Sequence, residues 1–403
     1  MASPTRTAAL ALLTAVLQSR RPLEEALDGL PPMPPRDRAA GHRIAATVLR
    51  RMGSLDAVLE PWLKREPPPE VRNTLRIGAA ELLLLGTPPH AAVSDCVALV
   101  PRPFAGLVNA VLRRVSEAGV AALEGLDAPR PDTPSWLWTA WHATHGTAVR
   151  AIALAHAQEA ALDLSLKPGA TLEGAIMLPN GTARMPAGTR ITEIPGFAEG
   201  RFWAQDAAAA LPVRLLAPQP GERVLDLCAA PGGKTAQLAA AGAQVVAVER
   251  GRKRAERLHE NLTRLGLPAD IVIADALRWD PGTQFDAVLL DAPCTATGTI
   301  RRHPDVVHLK KLQDVERQAE QQRALLAAAR RWVRPGGRLV FATCSLQGEE
   351  GEAHFPDGLD PIRPEEVPGL EGAITPQGAL RTRPDMWAEQ GGMDGFFIAR
   401  QMF

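Results

Sequence analysis

After Gln219 the sequence alternates short apolar runs with longer amphipathic stretches, and this rhythm constrains the fold more than any other feature. "GERVLDLC" is an apolar run, followed by a glycine-rich turn and the helical "KTAQLAAAG". "AQVVAVE" precedes the helical "RKRAERLHENLTRLG", "ADIVIAD" and "FDAVLLDAP" read as further strands, a long helix is predicted from Val315 to Val333, and "GGRLVFATCS" returns to a strand. Strands separated by helix-length segments predict an α/β fold, a parallel sheet with helices on both faces. Ligands of such sheets bind beyond the carboxyl ends of the strands. Cys228, Glu249, Asp275, Asp291 and Cys344 all fall at such ends, which makes them the first candidates for a site.

The first 120 residues have a different rhythm. Apolar residues recur at three- and four-residue spacing in "HRIAATVLRRMGSLDAVLEPWL" and "VRNTLRIGAAELLLLG", broken by "LPPMPPRD" and "REPPPE". That is an all-helical pattern. "DAPRPDTP" reads as a linker, a Trp-rich helical pair follows to about Ala161, and residues 162–200 are short, Gly/Pro-punctuated and strand-like. The expected division is therefore 1–126 all-helical, 135–200 a small helical/β subdomain, and 201–403 the α/β domain. A chain of 403 residues is long enough for two or three domains.

Composition mainly excludes. The formal net charge is zero, so a polyanion partner has to be sought in local charge: residues 241–340 hold 17 Lys/Arg against 12 Asp/Glu, and residues 341–403 hold 4 against 11. Four scattered cysteines form neither a disulfide framework nor a metal-ligand pattern, which fits a reducing cytoplasm and no metal. "AALALLTAVL" is followed by "QSRRPLEEAL" with no cleavage signal, so it is expected to be a buried helix and not a targeting segment. No run of 18 apolar residues exists to span a membrane.

"DLCAAPGGKTAQ" tests two nucleotide motifs. A phosphate-binding loop of the form G-x-x-x-x-G-K-T would need glycine where Cys228 stands, and a G-x-G-x-x-G fingerprint is absent. What remains is a strand, a glycine turn at Gly232 and Gly233 that lets the backbone approach a ligand, and a helix. Glu249 at the next strand end can accept two ribose hydroxyls, and Asp275 at the third can contact an adenine edge. Both also suit helix-capping acids. A nucleoside without phosphates, such as S-adenosylmethionine, fits this set better than a triphosphate.

Cys96 and Cys228 read as core packing, whereas Cys294 and Cys344 each follow an apolar strand where the chain leaves the sheet. Beside a methyl donor a thiol has a specific use. Carbon 5 of cytosine is a poor nucleophile until a thiolate adds to carbon 6, after which it can attack a methyl group. Asp291 is the carboxyl group available to stabilise charge at ring nitrogen 3.

"VLDLCAAPGGKTAQLA", "DAPCTATGTIRRHPD" and "FATCSLQGEEGE" resemble three signature motifs of the Sun/nucleolar-protein family of RNA (cytosine-5) methyltransferases. "FWAQDAAAALPVRLL" resembles the segment preceding that fold, and "GGMDGFFIARQ" its final strands. "LRIGAAELLLLGTPPHAAVSDCVAL" and "GLVNAVLRRV" are similar to the NusB-like RNA-binding domain fused to the bacterial 16S ribosomal RNA members. The resemblance covers nearly the whole chain. It implies a Rossmann-like class I methyltransferase sheet, S-adenosyl-L-methionine as cofactor, and 16S rRNA as substrate. It further implies that Cys344 attacks carbon 6 and Cys294 assists release, while Asp291 takes the acid and methionine-facing role. Cys228, Ala229, Ala230, Pro231, Gly232, Gly233 and Lys234 would form the cofactor loop, with Lys234 also reaching the reaction centre, and Glu249 and Asp275 the ribose and adenine contacts. Where many members carry arginine-valine-asparagine, this chain has "LDLSLKPG", leaving Lys167 as the cation for a phosphate contact.

Arg301, Arg302 and His303 follow the strand that the resemblance makes catalytic and are expected to contact RNA phosphates. Such an enzyme acts on RNA and not DNA, without a membrane, and nothing in the pattern requires an oligomer. The competing classes are a phosphate-loop nucleotidase, opposed by Cys228; a non-catalytic NusB-like RNA-binding or ribosome-assembly factor, which leaves the α/β half unexplained; a DNA cytosine methyltransferase, which leaves Cys344 without purpose; and a methyltransferase acting on tRNA.

Overall fold

Prolines decide where the helices of the N-terminal half begin. In the computed structural model, which describes residues 3–403, Pro4, Pro35, Pro69 and Pro89 each open a helix (Pro4–Leu17, Pro35–Arg50, Pro69–Leu83 and Pro89–Leu99). Proline suits this position because its missing N–H lacks an intrahelical partner there in any case. The Pro-rich breaks in the sequence are thus helix starts. Leu12, Leu13, Leu49, Leu55, Leu75 and Leu112 form the centre of the core. At Gly78 a Cβ would meet Leu112 at 2.4 Å, so this glycine lets Pro69–Leu83 approach Arg102–Ala118. Inside the bundle the Arg6 guanidinium donates to both carboxylate oxygens of Glu81 at 2.6 and 2.8 Å and also pairs with Asp95. Burial, then the negative charge of Glu81, pushes the neighbouring Cys96 thiol up to about 12, so it is an inert core thiol.

The chain folds as two compact units, Met1–Gln158 with Ile300–Lys311, and Glu159–Thr299 with Leu312–Phe403. This differs from the expected boundaries in two ways. First, the helices Ser135–His145 and Val149–His156 belong to the helical unit, not to a separate subdomain with residues 162–200. The reason lies in the supposed linker. Asp132 accepts hydrogen bonds from the Ser54 backbone N–H at 2.7 Å, the Ser54 hydroxyl at 2.6 Å and Arg51 at 2.9 Å, pinning it to the bundle. Second, Ile300–Lys311 leaves the α/β half to complete the helical one. Asp305 accepts from the Leu23 N–H at 3.0 Å, His308 Nε2 donates to the Leu49 carbonyl at 2.8 Å, and Leu309 packs on the helical core.

The second unit holds two sheets. The small one comprises β1 (Leu162–Leu166), β2 (Ile176–Met177), β3 (Ala183–Met185) and β4 (Phe202–Ala204), antiparallel in the order β2-β3-β1-β4. A buried bidentate pair holds it, Arg184 on Asp163 at 2.6 and 2.7 Å. The large one comprises β5 (Arg223–Leu227), β6 (Gln244–Glu249), β7 (Asp270–Ile273), β8 (Phe285–Asp291), β9 (Val333–Thr343), β10 (Leu380–Arg381) and β11 (Phe397–Met402). Its order is β10-β11-β9-β8-β5-β6-β7, with β5 to β9 parallel and β11 antiparallel to β9. The near-continuous apolar runs of β5 and β8 reflect a sheet covered on both faces.

The order reverses between β5 and β8, and the crevice at such a switch point is where these sheets bind ligands. Register brings the relevant ends together: Leu227 lies beside Val248 and Leu290, and Asp291 beside Ala342. No helix among the described residues is long and apolar enough to cross a membrane.

Removing Glu81 leaves Arg6 buried without its main counter-charge. Glu81→Ala is therefore expected to destabilise the helical unit by about 3–5 kcal/mol, read as an earlier loss of helical circular dichroism in a urea titration.

Candidate active site

The turn after β5 begins with an unusual backbone. Cys228 takes the left-handed conformation, with φ +62°, that glycine normally supplies. The side chain at the defining glycine position of a phosphate loop therefore does not prevent the turn, but it does fill it with sulfur. Gly232, with φ +104°, caps the helix Gly233–Ala240, and a Cβ there would lie 2.5 Å from Leu258. Lys234, in the first turn of this helix, does not project as a free phosphate ligand. It is buried and donates to Asp291 Oδ2 at 2.8 Å, with its ammonium 5.3 Å from the Phe396 ring centroid. Burial alone would lower the Lys234 pKa, but the Asp291 charge and hydrogen bond outweigh it and the net shift is upward. This pairing argues against a triphosphate and for a charge-compensated centre.

The crevice, about 230 Å³ in volume, is lined among others by Cys228, Glu249, Asp275, Asp291, Cys294 and Cys344. Every strand-end residue singled out from the sequence thus faces one cavity. Glu249 is 3 % exposed; its Oε1 accepts from the Gly251 N–H at 2.8 Å, while its Oε2 accepts no hydrogen bond from the described residues and has the Arg254 guanidinium at 3.4 Å. A buried carboxylate oxygen of this kind costs free energy unless a donor reaches it. Asp275 Oδ1 accepts from the Leu277 N–H at 3.0 Å and so caps its own turn. Burial, and then the charges of Asp291 and Glu249, push the Cys228 thiol up to about 12, so it is a packing group.

Two loops carry the remaining thiols. Cys294 Sγ and Cys344 Sγ are 3.4 Å apart, within hydrogen-bonding distance for sulfur. The hydrogen bond with Cys344, then burial, then the charges of Cys344 and Glu350 push the Cys294 thiol well above its ordinary value. The loops are laced together: the Gly298 N–H donates to the Cys344 carbonyl at 2.9 Å, and the Leu346 N–H to Thr297 Oγ1 at 3.0 Å. The loop before β11 joins them through the Gly395 N–H, which donates to the Gly298 carbonyl at 2.9 Å.

Sequence reasoning missed five residues. Glu350, wholly buried, accepts from the Thr295 N–H at 2.8 Å and from the hydroxyls of Thr295 and Ser345. Gln322 reaches both the Pro293 carbonyl at 2.8 Å and Glu350 at 3.2 Å, and its own carbonyl oxygen accepts from His354 at 2.9 Å. His354 Nε2 must then carry the proton, and burial lowers its pKa to about 4, so the ring is neutral. Asp226 is fully buried, accepts from Thr235 at 2.6 Å and is raised by burial to about 7. Phe396 stacks under Lys234. Asp226 was visible as a charge inside the apolar "VLDLC", and that conflict was the available signal; Glu350, in the polar "GEEGE", offered none.

The basic residues are placed differently from expectation. Arg301 is 3 % exposed within the helical unit, and its carbonyl accepts from Arg50 at 3.0 Å. Arg302 and His303 keep partial exposure, with His303 Nδ1 3.7 Å from Glu24. Lys167 donates to the Leu265 carbonyl, so it is a structural cation and not a free one for phosphate.

Comparison with known proteins decides the lineage. Residues 213–402 match the family model described as 16S rRNA methyltransferase RsmB/F, and residues 3–117 match the NusB family. The ribosomal RNA small subunit methyltransferase B of Sodalis glossinidius is 35 % identical over 92 % of this chain and 91 % of its own length. That of Xanthomonas campestris pv. campestris is 36 % identical over 98 % of this chain and 96 % of its own. The chain belongs to the RsmB/F family. Among solved structures, PH0851 shares the fold with a TM-score of 0.74 at 22 % identity, over 99 % of both chains. A methyltransferase homologue from Pyrococcus horikoshii superposes with a TM-score of 0.53 at 26 % identity, over 65 % of this chain and 92 % of its own. The methyl donor of the family is S-adenosylmethionine, and the crevice suits it: a glycine turn whose lysine is already paired with Asp291, and a buried carboxylate oxygen on Glu249 that accepts no hydrogen bond from the described residues. No group of three or more His, Cys, Asp or Glu among the described residues could hold a metal ion.

Gly298 sits where three loops meet, and a Cβ there would lie 2.0 Å from the Gly395 carbonyl oxygen. Gly298→Ala is expected to cost about 1–3 kcal/mol of stability through overpacking and to cut methyl transfer by more than the loss of folded protein explains. Activity per folded molecule, from parallel thermal melts and methyl-incorporation assays, checks this.

Proposed function

We propose that this chain methylates carbon 5 of a cytosine in 16S ribosomal RNA through a covalent cysteine–cytosine adduct. The observation that carries the proposal is the pair of thiols 3.4 Å apart beside the Lys234–Asp291 ion pair, at the switch point of the sheet.

S-adenosylmethionine, when bound, supplies the electrophilic methyl group. The residues that would hold it are the Cys228–Lys234 turn, with Glu249 for the ribose hydroxyls and Asp275 for the adenine edge. Cys344, as thiolate, adds to carbon 6, and the displaced electron pair makes carbon 5 nucleophilic. Asp291 stabilises the change of charge at ring nitrogen 3, and Lys234 holds Asp291 in place. After methylation the carbon 5 proton leaves to a base, its electron pair forms the 5,6 double bond, and the bond from carbon 6 to sulfur breaks. Cys294 lies where it can hydrogen-bond the departing Cys344 sulfur, which makes the thiolate a better leaving group.

A target base must leave its stack to reach a half-buried thiol, which favours an open, structured RNA region. The NusB-like part, with Arg302 and His303 as the phosphate contacts, would hold that RNA; the burial of Arg301 removes it from this set. We further propose that the enzyme works as a monomer in the cytoplasm and does not act on DNA, where a Pro-Cys motif alone suffices and a second thiol has no role.

With undermethylated 16S rRNA and radiolabelled methyl donor, Cys344→Ala is expected to abolish incorporation and to form no denaturation-resistant complex. Cys294→Ala is expected to accumulate such a complex while turnover stops. Adduct in Cys344→Ala would reverse the two roles, and no methyl incorporation into cytosine by the unaltered enzyme would remove the proposal.

A further inference from the structure

Cys294 and Cys344 lie on separate loops 50 residues apart in the chain, and neither loop is regular structure. Something has to hold their sulfurs at a fixed spacing. The residues that follow them meet directly, with Thr295 Oγ1 3.3 Å from Ser345 Oγ, and both also converge on one buried side chain. Thr295, directly after Cys294, gives Glu350 both its backbone N–H, at 2.8 Å, and its hydroxyl; Ser345, directly after Cys344, gives its hydroxyl. From the helix Leu312–Arg331, Gln322 adds a fourth donor at 3.2 Å while bonding the Pro293 carbonyl at 2.8 Å on the other side of Cys294. Glu350 is wholly buried, and its own carbonyl is fixed by the Thr343 hydroxyl at 2.9 Å.

We propose that Glu350 is a positioning residue of the two-thiol centre: its carboxylate ties the loop after Cys294 to the loop after Cys344 and so sets the sulfur–sulfur spacing on which adduct release depends. This rests on the cysteine roles proposed above.

The physical case is the cost of a buried charge. A carboxylate in a water-excluded site is retained only when its lone pairs are filled, and here four donors from two loops and a helix fill them. An apolar side chain would pack the same space. It would leave the Thr295 N–H without its acceptor, and the hydroxyls of Thr295 and Ser345 would keep only the longer contacts, 3.3 Å to each other and 3.2 Å from Ser345 to Thr297. The charge has a second consequence. Its field helps to keep the proton on Cys294, the state that can hydrogen-bond a departing thiolate.

Release needs both sulfurs in register, whereas attack on carbon 6 needs only Cys344. Loosening the tie should therefore slow release more than attack. Glu350→Gln keeps the size of the side chain but has one acceptor oxygen. The Thr295 N–H cannot reverse its role, so the amide oxygen stays on that side, and the amide nitrogen faces the two hydroxyls, which must turn round. The spacing relaxes and the charge is gone.

The test measures denaturation-resistant RNA adduct and steady-state turnover on the same preparations of unaltered enzyme, Glu350→Gln and Cys294→Ala. The adduct-to-turnover ratio of Glu350→Gln is expected to rise on the order of tenfold over the unaltered enzyme, the scale of a hydrogen bond to a charged group. A purely structural role lowers both quantities with the folded fraction and leaves the ratio where it was, which overturns the proposal. Should Glu350→Gln fail to fold, Thr295→Val and Ser345→Ala each remove one tie, and both must raise the ratio; an unchanged ratio in both overturns it equally. If Cys294→Ala itself traps no adduct, the reading of the cysteines fails first, and Glu350 loses its proposed role with it.

Discussion

The parallel pairing of β8 with β9 is the constraint on which the site depends. Asp291 lies beside Ala342, so the chain leaves the sheet at neighbouring points on both strands. Two short loops then place Cys294 and Cys344 within 3.4 Å. A one-residue slip would turn the side chains of one strand to the opposite face of the sheet. The apolar runs of both strands, buried on two faces, hold that register. The chemistry is thus secured by core packing well before any polar group is considered.

Upon this frame the charges are arranged in pairs. Lys234 meets Asp291, Glu350 meets four donors, and Glu249 meets the Gly251 N–H and the Arg254 guanidinium. Each would be costly alone in a buried site. Asp226, raised by burial to about 7 behind the glycine turn, adds a carboxyl that need not be charged near neutral pH.

Much of this was legible in the sequence. The strand–helix alternation after Gln219 gave the parallel sheet, and the strand-end positions of Cys228, Glu249, Asp275, Asp291 and Cys344 gave the members of one cavity. Polarity at the end of an apolar run is a local signal. What lay beyond reach was non-local. Nothing near Arg301 shows that Ile300–Lys311 folds into the helical unit, because that depends on donors at Leu23 and Arg50 far away in the chain. Asp132 looked like linker polarity, since its partners are Arg51 and Ser54. Glu350 looked like one more acid of an acidic tail until the partners on Thr295, Ser345 and Gln322 were visible. Lys167 read as a spare cation for the same reason, its acceptor being the carbonyl of Leu265.

The most direct test of a two-thiol centre uses the unaltered enzyme and 16S rRNA carrying 5-fluorocytosine. Fluorine replaces the carbon 5 proton that must leave, so the adduct forms and cannot resolve. Peptide mapping of the trapped complex by mass spectrometry is expected to find the base on Cys344, with Cys294 unmodified. Attachment through Cys294, or methylated product with no covalent complex, would contradict it.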